Sequence, residues 1–499
     1  VTARLLSNVR LAGTPLDDAP LEIFVRDGVI RHIGPAGSAG STKQDLGTPE
    51  VVLDCEGRWA IPGLWDSHTH MNQWALARQR VDVSAAGSAH GLATGIATVA
   101  AERRSQPGGI LIGYGFRDGL WPDSPSPELL DGVTGDLPTV MISGDLHSAW
   151  LNSAALDRFD NREHPTGVLR EAELFTIMQG LSQLPDDDLD RAIDDAARAA
   201  AARGVVGIVD FEMPDSLLPW TRRIAGGTTS LRVVCSVWPE ALERAIDRGL
   251  RTGEPVPGTH GLAVAGPLKV VTDGSLNTRT AYCDEPYPGE ESGGHGILTV
   301  PYEQLVAGMG RAWSAGISSA IHAIGDHANR LAVDAFERVG CPGSIEHVQL
   351  IHGPDIVRMA RLGIVASIQP EHAMDDRDVA EMHWAGRTPD AFAYRSMLDA
   401  GVRLALGSDA PVAPLDPWMA MSAAVFRSRD GREPWHPEQR IDLRNAMRSS
   451  TGTVTELRVG GPGDIVVVER DPFACDGDKL RTMPVFATFV AGRATFGPS

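Results

Sequence analysis

Short apolar runs separated by turn residues open and close this chain, and between them apolar runs alternate with helical patterns. At the start, Val1–Leu11, Leu21–Val25, Val29–Ile33 and Val51–Leu53 are punctuated by Asp27-Gly28, Gly34-Pro35 and Glu56-Gly57, the pattern of short β-strands. At the end, Gly463–Glu469 and Pro484–Gly492 read the same way. Neither group can bury a core alone, so the two chain ends are predicted to pair in one small β domain, residues 1–58 with 456–499. The middle holds eight expected strands: Trp59–His68, Val205–Phe211, Leu231–Val237, Leu268–Thr272, Ile317–His322, Ser344–Leu350, Ile364–Gln369 and Val402–Gly407. Helical stretches intervene, such as the alanine-rich Leu189–Arg203 that stops at Gly204, and that alternation argues for a parallel sheet. Eight such units predict an α/β fold, a (β/α)8 TIM barrel over residues 59–455. The gap after the first strand is too long for one helix. Residues 71–188 are therefore expected to form an α/β insertion, with apolar runs at Gly109–Tyr114 and Pro138–Ser143, placed to wall the active-site end of a barrel.

Composition narrows the partners. The 499 residues carry 45 basic and 65 acidic side chains, a net charge of −20, and a field of that sign repels nucleic acid and anionic membranes. A small-molecule substrate is expected instead, and a homo-oligomer is left open. Five scattered cysteines without any CxxC spacing fit a reducing compartment better than a disulfide framework. With no basic-then-apolar leader pattern and no 18-residue apolar run, the expected location is the cytoplasm, although a leader removed before Val1 is also compatible.

The candidate chemistry starts at Ile61-Pro62-Gly63-Leu64-Trp65-Asp66-Ser67-His68-Thr69-His70. Residues two apart on a strand face the same side, so His68 and His70 would present two imidazoles together at a strand end. In a barrel, the C-terminal strand ends converge on one mouth. The fourth strand carries Lys269, the fifth ends in His322, the sixth holds His347, and the eighth runs into Asp409. Four imidazoles, a carboxylate and an amine would supply two metal sites, with neutral histidines favouring Zn²⁺. Each has a plainer reading: buried histidines usually satisfy local hydrogen bonds, and an Asp before Ala-Pro is often a turn or cap.

These residues lie in stretches that resemble the amidohydrolase superfamily, specifically the amidohydrolase-3 (YtcJ-like) branch that includes N-substituted formamide deformylase. The matching segments are PGLWDSHTHM, LHSAWLNSAAL, PTGVLRE, KVVTDGSL, IHAIGDHA, IEHVQLI, ASIQPEHA, GVRLALGSDAPVAPLDP and GDIVVVERDP, in order along nearly the whole chain. The resemblance implies a β-sandwich built from both termini, a metal-dependent barrel and hydrolysis of C–N bonds. It places His68, His70 and Asp409 on a buried metal and His322 and His347 on a more exposed one. It makes Lys269 a bridging, N-carboxylated ligand, with Asp273 as the lower-ranked anionic alternative. One or two divalent ions, most simply Zn²⁺, are implied as cofactors. The short stretch between Leu443–Thr455 and Gly460 departs from the family and puts the last helices in doubt.

The expected reaction is hydrolysis of an amide, N-formyl or N-acyl amine through a metal-activated water, with Asp409 shuttling the proton and His322 and His347 completing the catalytic set. His147, Asn152, Glu171, Ser275, Arg279 and Gln369 are the candidate substrate-binding residues. Two alternatives stand beside this: an ester, lactone or phosphoester hydrolase using the same metals, or a non-catalytic binding protein of the same fold.

Overall fold

A computed structural model describes residues 3–35, 37–38, 48–104, 109–170, 172–181, 185–289 and 294–498. Eight parallel strands form the central barrel. They are β1 (Leu64–Thr69), β2 (Val205–Asp210), β3 (Arg232–Val237), β4 (Ala263–Val271), β5 (Ser319–Ala323), β6 (Gly343–His347), β7 (Val365–Ile368) and β8 (Leu404–Leu406). Each pairs with the next in sequence. The residues that follow β8 close the ring: the Asp409 N–H donates to the His68 carbonyl at 2.8 Å, and the His70 N–H donates to the Ala410 carbonyl at 2.9 Å. Gly407 makes that approach feasible, because a Cβ there would sit 2.6 Å from the His68 nitrogen.

The expected first strand, Trp59–His68, is two strands. Trp59–Pro62 pairs antiparallel with Ile465–Val468 in the terminal sheet, and the barrel strand begins only at Leu64. Gly63 separates them, packed so closely on Val206 that a Cβ would lie 2.4 Å from its Cγ2. A continuous apolar run hides this change of sheet, since both halves are buried.

The terminal sheet has eight strands, drawn from residues 3–62 and 465–496. Leu6, Val9, Ile23, Val25 and Ile30 from the first end pack with Ile465, Val467, Ala487 and Phe489 from the second. The alternate residues Val466 and Val468 join the barrel's core instead. The period of two thus fastens the terminal sheet to the barrel through one strand. The insertion carries a five-stranded mixed sheet, including Leu111–Phe116, Thr139–Ser143 and Ser148–Leu151. Helices Ala89–Arg104 and Pro127–Thr134 pack on it through Leu92, Ile96 and Leu130. Helices do occupy the late part of the chain, at Pro417–Phe426, Leu443–Ser449 and Gly477–Arg481. All five cysteines are free, and no helix among the described residues is long and apolar enough to cross a membrane.

Candidate active site

The C-terminal ends of the barrel strands bring a set of imidazoles onto one carboxylate. His68 Nε2 and His70 Nε2 each lie 3.4 Å from Asp409 Oδ1. On the other oxygen, His372 Nε2 is 3.9 Å from Asp409 Oδ2. Ring contacts continue the cluster, with His68 and His347 centroids 4.9 Å apart and His322 and His347 4.4 Å apart. Lys269 Nζ lies 3.2 Å from His68 Nε2 and 4.1 Å from the centre of the Phe211 ring. The six residues expected from strand ends therefore occupy one place.

The donor set fits divalent metal. One ligand atom each from His68, His70 and Asp409 fall within 4.8 Å of one another, and so do those of His347, His372 and Asp409. Burial drives His68, His322 and His347 well below the ordinary imidazole range, with the Lys269 charge and neighbouring histidines adding to the effect. They are thus held neutral, the form that ligates. Buried His322 Nε2 and His372 Nε2 lack a hydrogen-bond partner among the described residues, which leaves lone pairs or protons unanswered in a dry site. Burial also lowers the Lys269 ammonium to about 8, against the pull of Glu346 and Asp409, so a neutral amine is accessible.

Second partners orient these groups. His68 Nδ1 lies 2.7 Å from Glu346 Oε2, both side chains being 1% exposed. A carboxylate there accepts the hydrogen bond of the Nδ1–H and so leaves the Nε2 lone pair facing Asp409 and Lys269. Ser344 Oγ donates to the other Glu346 oxygen. Asp66 Oδ1 accepts the N–H groups of His68 and Ser408, tying β1 to the residues after β8, and burial raises its pKa to about 7. Asp273 lies 3.4 Å from His322 Nε2 and accepts N–H bonds from Tyr282, Ile324 and Gly325, which makes it a loop anchor beside the cluster. Three non-glycine residues of the site have left-handed backbone: His347, Val348 and Asp409 have φ of +74°, +48° and +60°.

Above the cluster lies a small cleft, partly open to solvent, lined by His322, His347, His372 and Asp409 below and by Arg117, Asp145 and His147 from the insertion. Ser275, Asn277, Gln349 and Asp376 complete its walls. Of the expected substrate-binding residues, His147 and Ser275 are therefore at the cleft. Asn152 is not. It is fully buried, where its Oδ1 accepts from Thr139 and Ala155 N–H groups and its Nδ2 donates to Leu137 and Thr134, capping the helix Ser153–Arg158. A side chain with both ends used in this way has nothing to offer a substrate. Gln369 is buried, with Nε2 donating to the Ser367 carbonyl, and neither it nor Arg279, in the loop after β4, lines the cleft. Glu171 lies outside the described residues.

The sequence reading overlooked His372, Glu346, Arg117, Asp145 and Asp376. His372 follows β7 by four residues, in the first turn of the helix Pro370–His383, so a search of strand ends alone passes over it. Glu346 sits beside His347 but points into the barrel, toward a partner 278 residues away.

A sequence profile described as amidohydrolase family matches residues 51–496. The putative amidohydrolase YtcJ of Bacillus subtilis is 26% identical over 522 residues, covering 96% of each chain. The N-substituted formamide deformylase of Arthrobacter pascens is 26% identical over 498 residues, covering 88% of this chain and 89% of its own. The crystal structure of an uncharacterized metal-dependent hydrolase from Pyrococcus horikoshii OT3 shares the fold, with a TM-score of 0.79 at 23% identity over 96% of this chain and 99% of that one.

Proposed function

The chain belongs to the amidohydrolase family, and on that premise we propose that it hydrolyses a carbon–nitrogen bond of a small molecule, an amide or an N-formyl or N-acyl amine. The observation that carries this reading is the approach of imidazoles to both oxygens of Asp409, His68 and His70 on one and His372 on the other, at the floor of a cleft. His68, His70 and Asp409 would hold one divalent ion, and His347 and His372, with His322 beside them, a second; Zn²⁺ suits this donor set. Lys269, if N-carboxylated, would add an anionic ligand. When bound, such ions supply a water acidified to a pKa of about 7 and a Lewis acid for a carbonyl oxygen.

The chain's own residues do the rest. Asp409 takes a proton from the attacking water and passes it to the leaving nitrogen. The water oxygen bonds to the carbonyl carbon, the C–N bond breaks, and a carboxylic acid and an amine leave. Glu346 keeps the Nδ1 proton on His68, so that its other nitrogen stays free to ligate. His147, Ser275 and Arg117 form the wall against which the substrate is oriented.

The name of the Arthrobacter relative makes N-formyl amines the first substrates to try. The test is elemental analysis of protein purified without chelator in bicarbonate, followed by assays on N-formyl and N-acyl alkylamines and their isosteric esters. One or two zinc-like ions per chain with amide hydrolysis is the expected result. Turnover of the esters alone would overturn the bond assignment, and a chain that takes up no metal would overturn the mechanism. Asp409→Asn should lower kcat by about 10²-fold or more while the protein stays folded; full activity would remove its proton role.

A further inference from the structure

The residues after β8 are held from two sides, and the barrel is one of them. There the Asp409 N–H donates to the His68 carbonyl at 2.8 Å, and the His70 N–H donates to the Ala410 carbonyl at 2.9 Å. The Val412 N–H closes a turn onto the Asp409 carbonyl at 2.8 Å. The carbonyls of Pro411 and Val412 are taken by the insertion. Tyr114 Oη lies 2.6 Å from the Pro411 oxygen and 2.9 Å from that of Gly144, so its one proton has the nearer acceptor in Pro411. Burial pushes the phenol above its ordinary range, which keeps it a donor. Arg117 Nη2 donates to the Val412 carbonyl at 3.1 Å. These contacts reach back 297 and 295 residues, to the strand Leu111–Phe116 and the position after it.

The same Arg117 nitrogen holds a second element. It donates to Asp375 Oδ2 at 2.9 Å, on the helix Pro370–His383. Asp375 follows His372 by three residues, just as Val412 follows Asp409 by three. Arg117 thus bridges the two segments that carry Asp409 and His372, whose Oδ2 and Nε2 lie 3.9 Å apart. Burial works against its charge, and Asp375, Asp376, Tyr114 and Asp145 outweigh that and hold the guanidinium protonated. The other Asp375 oxygen accepts from Arg429 Nη1 at 2.7 Å, which braces the helix end of the bridge. Removing Arg117 would free both segments at once.

We propose that Arg117, supported by Tyr114, is a positioning residue that sets the spacing of Asp409 and His372. Through it, the seating of the insertion decides how firmly the group His347, His372 and Asp409 holds an ion. This rests on the hydrolase reading given above. It gives the insertion a role beyond walling the cleft, because these contacts act on backbone carbonyls and on the helix of His372, and so reach the metal centre itself.

The experiment compares wild type with Arg117→Gln, Arg117→Lys and Tyr114→Phe in two measurements. Hydrogen exchange of chelator-treated protein, read by mass spectrometry, should quicken by about tenfold or more over residues 408–413 in Arg117→Gln and stay unchanged in the terminal sheet. Zinc affinity from chelator competition should fall by about 10- to 100-fold for the most weakly held ion. Arg117→Lys keeps a cation between the two acceptors and should stay within about threefold of wild type in both. Tyr114→Phe deletes a single oxygen and should quicken exchange over 408–413 by about threefold or more, which keeps the test open if Arg117→Gln fails to fold. Unchanged exchange over 408–413 in the folded variants overturns the proposal. So does unchanged zinc affinity where exchange has quickened, and so do equal losses in Arg117→Lys and Arg117→Gln. If wild type takes up no zinc, the metal mechanism fails, and exchange alone then decides: quickened over 408–413 it upholds the bridge, unchanged it overturns it.

Discussion

Replacing Glu346 with Gln probes the metal centre without touching a ligand. The Glu346 carboxylate sits 2.7 Å from His68 Nδ1, with both side chains 1% exposed, and burial raises its pKa against the opposing pull of Lys269. Gln keeps the shape and removes the charge. A charged hydrogen bond is worth about 1.5–3 kcal/mol against about 0.5–1.5 kcal/mol for a neutral one, so the difference is about 1–1.5 kcal/mol. That is up to about tenfold in affinity. Gln can also turn its amide toward Nδ1 and drive the imidazole proton onto Nε2, the atom facing Asp409. The two effects together should weaken metal binding by about 10- to 100-fold, the range of outer partners of ligating histidines. Competition against a chelator of known affinity measures it, and the melting temperature of the metal-free variant shows whether folding has changed. A folded Glu346→Gln protein that binds metal within twofold of wild type would refute the claim that this carboxylate sets the His68 tautomer.

Three further outcomes concern stability. Gly407→Ala should destabilise by about 1–3 kcal/mol, because the new Cβ would meet the His68 backbone 2.6 Å away, where neither atom can yield. Gly308→Ala, in the helix Tyr302–Ser314 with nothing within 4 Å, should instead stabilise by about 0.5–1 kcal/mol; calorimetry of both variants checks the signs. In chelator-treated protein, burial lowers the Lys269 pKa to about 8 from the ordinary lysine value of 10.5, so between those values the unfolded chain binds more protons and stability rises with pH. The gain is about 3 kcal/mol across that window. Denaturation midpoints from pH 7.5 to 10.5 should show it in wild type and not in Lys269→Met, and identical slopes would refute it.

What could be read along the chain was whatever depends on neighbours close in sequence. The period of two put His68 and His70 on one face, and the alternation of strand and helix patterns placed Lys269, His322, His347 and Asp409 at strand ends. Those features follow from backbone geometry, which a few residues set. The remainder depended on which distant segments meet. Trp59–His68 is one apolar run, yet only the approach of Ile465–Val468 and Val206 decides that it serves two sheets. Asn152 has the chemistry of a substrate ligand, and its place beneath Thr134 and Thr139 commits it to the fold. Glu346 finds His68 across 278 residues, and His372 reaches Asp409 from inside a helix. Periodicity states which way a side chain points; the closure of the barrel and the seating of the insertion decide what it meets there.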